Sequence, residues 1–305
     1  MSSGPPLVAV VLLSWNGCED TLACLRSLAR VEYERLDVLV VDNASSDGSA
    51  EAVAREFPGV DLVRNDSNLG YAGGMNVGIR RALELGADYV LLLNNDTEVE
   101  PGFLLPLLAA MERNPRAGAL CPKILYADSG LVWYAGAEFD PRRGYNGRIT
   151  GNREPSERHT SVRVTDRAAG AAMLVPRAAL ERIGLLDEPL FAYGEDAAWS
   201  LRARAAGFTL LVVPESVVRH RVSAASGGES SPDTIYYSTR NLLTVCERAA
   251  PLDLFGTWRR RAVLVGAHLV QAARSPARAQ GMRAALAGFR DFRRGRLGPR
   301  PAVSL

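Results

Sequence analysis

Residues 88–100 read Asp-Tyr-Val-Leu-Leu-Leu-Asn-Asn-Asp-Thr-Glu-Val-Glu, and this stretch predicts the class of fold. The apolar run from Tyr89 to Leu93 is short, prone to β-structure and hydrophobic throughout, which is typical of a strand buried on both faces. Amide and carboxylate side chains follow at its C-terminal end, where open α/β sheets place their ligands. We therefore expect Asp96 to be an oxygen ligand for a divalent cation that lies beside a phosphate.

Three apolar runs upstream are also followed by polar clusters. Leu7–Leu13 ends in Ser-Trp-Asn-Gly, and Leu36–Val41 ends in a stretch rich in Asp, Asn and Ser. A third short run, Val60–Val63, precedes an Asn- and Gly-rich segment at 65–76. Segments with helical spacing separate these runs, so the alternation predicts an α/β fold with a mostly parallel central sheet and helices on both faces.

The four polar clusters, at 14–17, 42–48, 68–76 and 94–97, should lie side by side at one edge of such a sheet. The first three offer turns, small residues and helix N-termini, which suit a nucleoside and its phosphates. The glycines of the third cluster do not have the Gly-x-Gly-x-x-Gly spacing of a dinucleotide-binding fold. A phosphate-binding loop ending in Gly-Lys-Ser/Thr does not occur either.

The alternation weakens after Ala117, and the second half is predicted to carry strands, helices and two polar, mobile surface segments at 140–160 and 222–233. We expect strands at 119–139, 161–175 and 208–213, and helices at 178–183, 194–206 and 235–249. The predicted organisation is a main α/β unit at 1–250, whose pattern changes near residue 117, and a basic helical C-terminal extension at 251–305.

A second informative stretch, residues 189–199, reads Pro-Leu-Phe-Ala-Tyr-Gly-Glu-Asp-Ala-Ala-Trp. Its two acids at a helix start have two readings. They stabilise the helix dipole, which is worth ~0.3–1 kcal/mol, or Asp196 faces the cleft as a general base while Glu195 points elsewhere. His220, at the end of another apolar run, is either a structural histidine or a neutral imidazole ligand that completes the cation site.

Composition predicts an ordinary globular protein in a reducing compartment. The chain has 305 residues, of which 47% are hydrophobic and 23% charged, and its four cysteines have no metal-type pairing. The N-terminus lacks the positively charged region of a signal peptide, and no run reaches the ~20 apolar residues of a membrane-spanning helix. These features predict a cytoplasmic location.

The charge is unevenly distributed along the chain. Residues 251–305 hold eleven arginines and two acidic residues, whereas residues 1–250 carry more acidic than basic residues. The basic tail either packs back on the acidic body or contacts an anionic membrane surface at the inner face of the cell membrane. In the second reading the apolar anchors are Trp258, Leu264, Leu269 and Phe289.

The ordered motifs resemble family 2 of the inverting glycosyltransferases, which have the GT-A fold, and especially rhamnosyltransferase-like members. The likeness covers roughly residues 7–249 and runs in the right order. It implies that residues 1–250 are a catalytic domain, with a nucleotide-sugar-binding half at 7–117 and an acceptor half at 118–250. It is carried by Leu-Leu-Ser-Trp-Asn-Gly, Val-Val-Asp-Asn-Ala-Ser-Ser-Asp-Gly-Ser, Asn-Leu-Gly-Tyr-Ala-Gly-Gly-Met-Asn, Leu-Asn-Asn-Asp-Thr and Tyr-Gly-Glu-Asp-Ala-Ala-Trp.

This resemblance implies a role for each matching residue. Asp42 would bind the pyrimidine base, and Asp196 would be the catalytic base. Asp96 would hold Mg²⁺ or Mn²⁺, with His220 as a further ligand. Asn94 stands where the family has the first acid of its Asp-x-Asp motif. The other nucleotide-sugar contacts would be Ser14, Asn16, Asn43, Asp47, Gly70, Gly74, Asn76, Asn94 and Asn95. The acceptor would be met by Tyr193, Glu195 and Trp199.

The implied reaction is a single displacement that moves a sugar from a nucleoside-diphosphate donor to a hydroxyl acceptor. The donor would be a dTDP- or UDP-sugar, with dTDP-rhamnose as the leading choice. The acceptor would be a glycan, a lipid-linked (for example polyprenyl-linked) glycan or a natural product, and no nucleic-acid partner is expected. Two alternatives remain at this point: a sugar-1-phosphate nucleotidylyltransferase, and an inactive nucleotide-sugar-binding module, which Asn94 keeps open.

Overall fold

The computed structural model describes residues 4–143, 149–222 and 230–301. It has the predicted α/β architecture, a central mixed sheet flanked by helices. The expected mobile segments, 140–160 and 222–233, lie partly outside the described residues. Where 140–160 is described, Ile149 pairs with Ala137 and a short 3-10 helix covers Ser156–Arg158, so part of this segment is ordered.

The N-terminal half forms the predicted parallel layer, with strand order β3-β2-β1-β4. Its strands are β1 Val8–Ser14, β2 Leu36–Asp42, β3 Asp61–Arg64 and β4 Tyr89–Asn94. The connecting helices are α1 Cys18–Leu28, α2 Ser49–Glu56 and α3 Gly70–Glu84. Ser14 and Asp42 are register partners at the ends of β1 and β2, so the polar clusters that follow these strands meet at one sheet edge.

The second half makes the sheet mixed rather than mostly parallel. Strand β9 inserts antiparallel between β4 and β6, and β10 pairs parallel to β6 but antiparallel to β5 and β8. The elements are β5 Thr97–Val99, α4 Leu104–Arg113, β6 Ala117–Tyr126, β7 Val132–Tyr134, β8 Arg163–Val164, β9 Ala172–Pro176, α5 Arg177–Ile183, α6 Glu195–Ala205 and β10 Thr209–His220. Antiparallel insertion cannot be told from parallel order by an apolar run, because both place the strand between helical layers.

The hydrophobic core lies on both faces of this sheet. All ten residues of β6 are buried, and so are the middle residues of β1 and β4. Trp199 is 0% exposed, and its indole N–H donates to the carbonyl of Gly184 at 2.9 Å. The structure thus places Trp199, which was predicted to contact the acceptor, inside the hydrophobic core.

The chain ends in three helices, α7 Pro232–Ala249, α8 Leu254–Arg274 and α9 Arg278–Arg293, and the last two confirm the predicted helical tail. One face of α8 packs on the body through the buried residues Arg260, Leu264, His268 and Ala272. Arg260 donates to the carbonyl oxygens of Pro141, Cys246 and Ala250. No helix among the described residues combines the length and apolar composition needed to cross a membrane.

Candidate functional site

The loops after β1 and β2 are tied to each other by the polar residues that follow these strands. The Asn16 N–H donates to Ser45 Oγ at 3.0 Å, and Asn16 Oδ1 accepts from the Ser46 N–H at 2.8 Å. Asp47 caps the first turn of α2, where its Oδ1 accepts from the Ser49 N–H at 3.0 Å. Asn16 and Asp47 therefore shape the sheet edge, whether or not they also touch a ligand.

Asp42 lies buried between these loops. One carboxylate oxygen accepts from the Ser45 N–H at 3.1 Å, while Oδ1 is buried and has no hydrogen-bond partner in the parts of the chain that the structure describes. A buried carboxylate oxygen without a donor is costly. This unsatisfied oxygen is available to accept a hydrogen bond from an N–H group of a ligand.

Asn43 holds the loop between β3 and α3. Its amide N–H₂ donates to Asn68 Oδ1 at 2.9 Å and to the Gly70 carbonyl at 3.1 Å. Its Oδ1 accepts from the Asn65 side chain and the Leu69 N–H. The amide of Asn43 thus has internal partners for both its donor and its acceptor atoms, so its role here is to shape the loop.

Three residues expected near the ribose and diphosphate have packing roles in the structure. Asn76 is buried, with its amide bonded to the backbone of Leu186 and to Glu188. A Cβ on Gly74 would collide with the side chain of Leu13 on β1, and a Cβ on Gly70 would collide with the carbonyl of Phe191. Gly74 thus allows close packing of α3 on β1, and the Asn76 side chain ties α3 to the segment at Leu186 and Glu188.

The end of β4 carries the cluster that was predicted to bind a cation. The Asn94 Oδ1 is buried without a hydrogen-bond partner among the described residues, whereas the Asn95 amide donates to Thr21 Oγ1 at 2.9 Å. Strand β10 pairs with β5 so that His220 lies opposite Thr97. This pairing brings His220 Nε2 to 3.0 Å from Asp96 Oδ1.

The contact between His220 and Asp96 has an unusual geometry. The two groups are 3.0 Å apart but are not oriented for a hydrogen bond, and neither ring nitrogen of His220 has a hydrogen-bond partner in the described chain. Both side chains are almost fully buried, and the Trp133 ring packs edge-on against the imidazole at 4.7 Å. A carboxylate oxygen and an imidazole nitrogen are both atoms that can coordinate a divalent cation.

The acid pair begins helix α6, and its two members differ in environment. Asp196 Oδ2 accepts from Arg167 Nη2 at 2.9 Å, Arg167 Nε at 3.2 Å and the Gly170 N–H at 3.3 Å. Glu195 Oε2 is buried and has no hydrogen-bond partner among the described residues. Burial first, and then the negative charge of Asp196, raise the pKa of Glu195 to about 8.

A short segment at residues 167–171 joins the acid pair to the end of β4. Gly170 contacts Asp196 as described, and the Ala171 carbonyl accepts from the Asn94 N–H at 2.9 Å. The Tyr71 hydroxyl donates to the Gly170 carbonyl at 2.8 Å. Burial, followed by the charges of Glu195, Asp196 and Asp96, raises the pKa of Tyr71 well above its usual value. The 167–171 segment thus links the acid pair to the end of β4 through bonds to Asp196, Tyr71 and Asn94.

Sequence reasoning missed two residues of this region. Arg167 occurs in a loop without a motif, so nothing in the sequence pointed to it. Tyr71 lies inside the Asn-Leu-Gly-Tyr motif, which could have indicated it. Of the other aromatic residues, Tyr134 is buried, whereas Tyr193 is half-buried and its hydroxyl lies 2.9 Å from Thr234 Oγ1.

Known proteins share these features. Residues 9–184 match the family model described as glycosyl transferase family 2. An N-acetylglucosaminyl-diphospho-decaprenol L-rhamnosyltransferase of Mycobacterium tuberculosis is 29% identical over 278 residues, covering 83% of this chain and 86% of the relative. The dTDP-rhamnosyl transferase RfbF of Shigella flexneri is 25% identical over 241 residues, covering 77% and 78%.

Solved structures agree on the fold. GalNAc-T7, solved with UDP, GalNAc and Mn²⁺, superposes with a TM-score of 0.63 at 17% identity and covers 96% of this chain and 57% of its own. The mannosyltransferase PcManGT from Pyrobaculum calidifontis, solved with GDP-Man and Mn²⁺, gives a TM-score of 0.56 at 20% identity, covering 96% and 84%. These similarities favour glycosyl transfer over the nucleotidylyltransferase and inactive-module alternatives. The chain is a glycosyltransferase and belongs to glycosyl transferase family 2.

Proposed function

We propose that this protein transfers rhamnose from dTDP-rhamnose, or a related sugar from a UDP-sugar, to a hydroxyl group of a lipid-linked glycan, with inversion at the anomeric carbon. The observation that carries the proposal is that the 167–171 segment bonds to Asp196 on one side and to Asn94 on the other. This supports a single reacting centre between the acid pair and the end of β4. The two rhamnosyltransferase relatives support the choice of donor and acceptor class.

We propose that the donor lies along the sheet edge formed by the ends of β1, β2 and β4. The orphaned Oδ1 of Asp42 supports its role as acceptor for a pyrimidine N–H. The nearby Ser14 hydroxyl lies 3.0 Å from Thr21 Oγ1, so Ser14 and Asn95 share one buried polar network through Thr21. That network supports a model in which Ser14, Thr21 and Asn95 together form the polar surface beneath the nucleotide. In this model the three side chains do not each make a separate contact with it.

The residues at the end of β4 and β10 fit a divalent cation. Asp96 Oδ1 and His220 Nε2 lie 3.0 Å apart, and the side-chain amide oxygen Oδ1 of Asn94 has no hydrogen-bond partner among the described residues. Groups of three or more His, Cys, Asp or Glu side chains suited to a metal do not occur in the described residues. Mg²⁺ and Mn²⁺ sites in such enzymes take one or two side chains and complete the shell with substrate phosphates and water. When bound there, the cation would stabilise the charge of the departing diphosphate.

Asp196 is proposed as the catalytic base. In the displacement, the acceptor oxygen forms a bond to the anomeric carbon while the bond from that carbon to the β-phosphate oxygen breaks. The acceptor proton passes to the Asp196 carboxylate, and the nucleoside diphosphate leaves with the bonding electron pair. Arg167 holds the carboxylate from the side, which fixes its orientation for this transfer. A positioned base contributes on the order of 10²–10⁴-fold to the rate.

We also propose that α8 and α9 rest on the anionic inner face of the cell membrane, where a lipid-linked acceptor would be found. The outward side of α8 exposes Phe255 (70%) and Trp258 (67%), and α9 exposes Met282 and Leu286. Asp291 is the only acidic residue in either helix, and it is buried. Exposed apolar residues among arginines are typical of helices that lie in a membrane interface. Of the anchors expected from sequence, Leu264 is buried, and Leu269 and Phe289 are half-buried, so Trp258 alone remains a candidate.

A thermal-shift screen of UDP-, dTDP- and GDP-sugars, with and without Mn²⁺, tests the donor and the metal together. A ligand that binds only the folded state raises the melting temperature. We expect the largest rise with dTDP-rhamnose plus Mn²⁺, followed by sugar transfer to an N-acetylglucosaminyl-diphospho-lipid. No rise with any nucleotide sugar would contradict the proposal.

A further inference from the structure

The loop at residues 189–194, here named the acceptor loop, is held in a strained conformation. Phe191 has φ +68° and ψ −65°, and the Ala192 N–H donates to the Leu190 carbonyl at 2.9 Å, which together make a γ-turn of the strained type. Tyr193, two residues on, also has a positive φ of +65°. Non-glycine residues in such conformations cost ~1–3 kcal/mol each and persist only when their surroundings impose them.

The surroundings that impose this conformation are two side chains of α7. The amide nitrogen of Asn241 lies 2.9 Å from the Leu190 carbonyl oxygen, 2.7 Å from that of Ala192 and 2.6 Å from that of Tyr193. Arg240 adds Nη2 at 2.9 Å from the same Leu190 oxygen, and its Nε donates to Asn241 Oδ1 at 2.8 Å. One buried side-chain pair thus offers donors to the carbonyls of Ala192 and Tyr193, and further donors to the Leu190 carbonyl that closes the turn.

Arg240 also connects the acceptor loop to the end of the chain. Its Nη1 donates to the Gly298 carbonyl at 2.7 Å, and the Gly298 N–H donates to the Pro189 carbonyl at 2.7 Å. The Arg300 N–H donates to the Tyr237 hydroxyl at 2.7 Å, and the Tyr237 ring stacks on Phe191. Residues 298–300 therefore form the outer support of the loop.

Burial of the charged Arg240 side chain costs free energy because its guanidinium loses contact with water. Arg240 is 1% exposed, and no carboxylate lies within ion-pair distance of it in the described chain. Backbone carbonyls and the rings of Tyr236 and Tyr237, 5.3 and 5.1 Å from its guanidinium carbon, compensate its charge instead. A buried cation adds little net stability compared with apolar packing, so its value lies in the geometry that it imposes.

We propose that Arg240 and Asn241 are positioning residues that fix the acceptor loop in the shape required to bind the acceptor beside Glu195 and Asp196. This inference rests on the proposed glycosyl transfer. The loop connects the two sides of the site, because the Phe191 carbonyl accepts from the Ala72 N–H at 3.1 Å on α3, while Gly194 leads directly into α6. The proposed dTDP contacts lie instead at the ends of β1, β2 and β4, so relaxation of the loop should affect the acceptor more than it affects dTDP binding.

The test measures acceptor and donor parameters of full-length variants separately, with dTDP-rhamnose and an N-acetylglucosaminyl-diphospho-lipid. Asn241→Leu keeps the side-chain volume but removes the donors. We expect the acceptor KM to rise at least about tenfold while dTDP affinity stays within about twofold. The control Asn114→Leu removes a half-buried amide bonded to the Ala110 carbonyl on remote α4, and should change neither. An unchanged acceptor KM, or a parallel loss of dTDP affinity, would overturn the proposal.

A second pair of variants tests the link to the chain end. Gly298 has φ +86° and open space around it, so Gly298→Ala disturbs the backbone without a clash. Gly298→Ala and Arg240→Lys should each raise the acceptor KM, and their combination should raise it by less than the product of the two. Fully multiplicative effects would mean that the chain end and Arg240 act independently, which contradicts the inference.

Hydrogen exchange separates failure of this inference from failure of the proposed function. If the wild-type protein transfers no sugar, the proposed function fails. The restraint of the acceptor loop by Arg240 and Asn241 can then still be tested. Asn241→Leu should make the backbone amides of residues 190–194 exchange faster than in wild type. Equal exchange rates in the two proteins would refute this restraint. A thermal unfolding curve that matches the wild-type curve verifies that the variant is folded.

Discussion

The guanidinium of Arg167, which is partly exposed, forms an ion pair with the buried carboxylate of Asp196, in which Nη2 and Nε lie 2.9 and 3.2 Å from the same oxygen, Oδ2. The two residues come from different parts of the chain, a loop before β9 and the first turn of α6. The pair fixes the carboxylate at the centre of the candidate site. It also means that stability and activity are coupled at this position.

Removal of the Arg167 guanidinium should destabilise the protein strongly. Arg167→Met leaves the Asp196 carboxylate buried without its cation, and breaking a buried pair in this way costs about 3–5 kcal/mol. Chemical denaturation measures the free energy of unfolding. The double variant Arg167→Met/Asp196→Leu should recover part of the loss, because no uncompensated charge remains. A double variant that is less stable than Arg167→Met would contradict this account.

Asp196→Asn should abolish sugar transfer and leave donor binding intact. The amide keeps the shape of the carboxylate but cannot accept the acceptor proton, so the rate should fall by roughly 10²–10⁴-fold. Calorimetric titration with dTDP should give an unchanged affinity. Full turnover by this variant would remove Asp196 from the role of base.

Loss of either candidate metal ligand should uncouple the donor from the cation. In Asp96→Ala and His220→Ala, addition of Mn²⁺ should no longer strengthen dTDP-sugar binding, a loss of at least about tenfold, since even outer-shell changes at metal sites cost 10–100-fold. Asp37→Ala, an exposed acid at the opposite end of β2, is the matched control and should respond to Mn²⁺ as wild type does. A full Mn²⁺ response in Asp96→Ala would locate the cation elsewhere.

The buried Glu195 should make stability fall as pH rises. Its folded-state pKa is raised to about 8 by burial and by Asp196, so the folded protein keeps a proton that the unfolded chain has released above its usual pKa of about 4.5. Stability should therefore be greatest below pH 4.5 as far as this group is concerned, and decline through pH 8. Glu195→Gln should remove this decline, by on the order of a few kcal/mol at pH 9. Parallel curves for the two proteins from pH 5 to 9 would contradict the shifted pKa.

The exposed faces of α8 and α9 should bind anionic membranes. The wild-type protein should sediment with vesicles of phosphatidylglycerol and phosphatidylcholine, bind less as salt rises, and remain free of pure phosphatidylcholine vesicles. Phe255→Ser/Trp258→Ser should weaken binding at least about tenfold, because apolar side chains supply the interfacial anchor. Leu105→Ser, which removes a similarly exposed leucine on α4, should have no effect. Equal binding to neutral and anionic vesicles would exclude an electrostatic contact.

The sequence predicted the local elements well because each carries its own signal. The apolar run from Tyr89 to Leu93 lies in a buried strand, the helix predicted at 194–206 is α6 between Gly194 and Gly207, and the basic extension is helical as predicted. Each of these depends on hydrophobic period and on glycine placement, which are properties of neighbouring residues. The antiparallel insertion of β9 was not predictable in this way, since strand order depends on contacts between distant segments.

The candidate site divides along the same line. Motif order and the family resemblance were enough to nominate Asp42, Asp96, Asp196 and His220 as residues of one site. The approach of His220 to Asp96 came from the pairing of β10 with β5, and the ion pair at Asp196 came from a loop arginine without a motif. Asn76 and Trp199 lie inside motifs yet pack internally, because a motif records that a residue type is needed without saying for what.

By itself, then, the sequence determined the α/β class, the edge at which the polar clusters gather, and the family. Only the tertiary structure decided which of those polar atoms lack a hydrogen-bond partner and which form hydrogen bonds within the protein. The physical reason is that a side chain's chemistry is local, whereas its burial and its partners are set by segments far away in the chain. Asn43 and Asn94 illustrate this, since both are asparagines at strand ends. The amide of Asn43 bonds to the following loop through both its nitrogen and its oxygen, whereas Oδ1 of Asn94 is buried without a hydrogen-bond partner among the described residues.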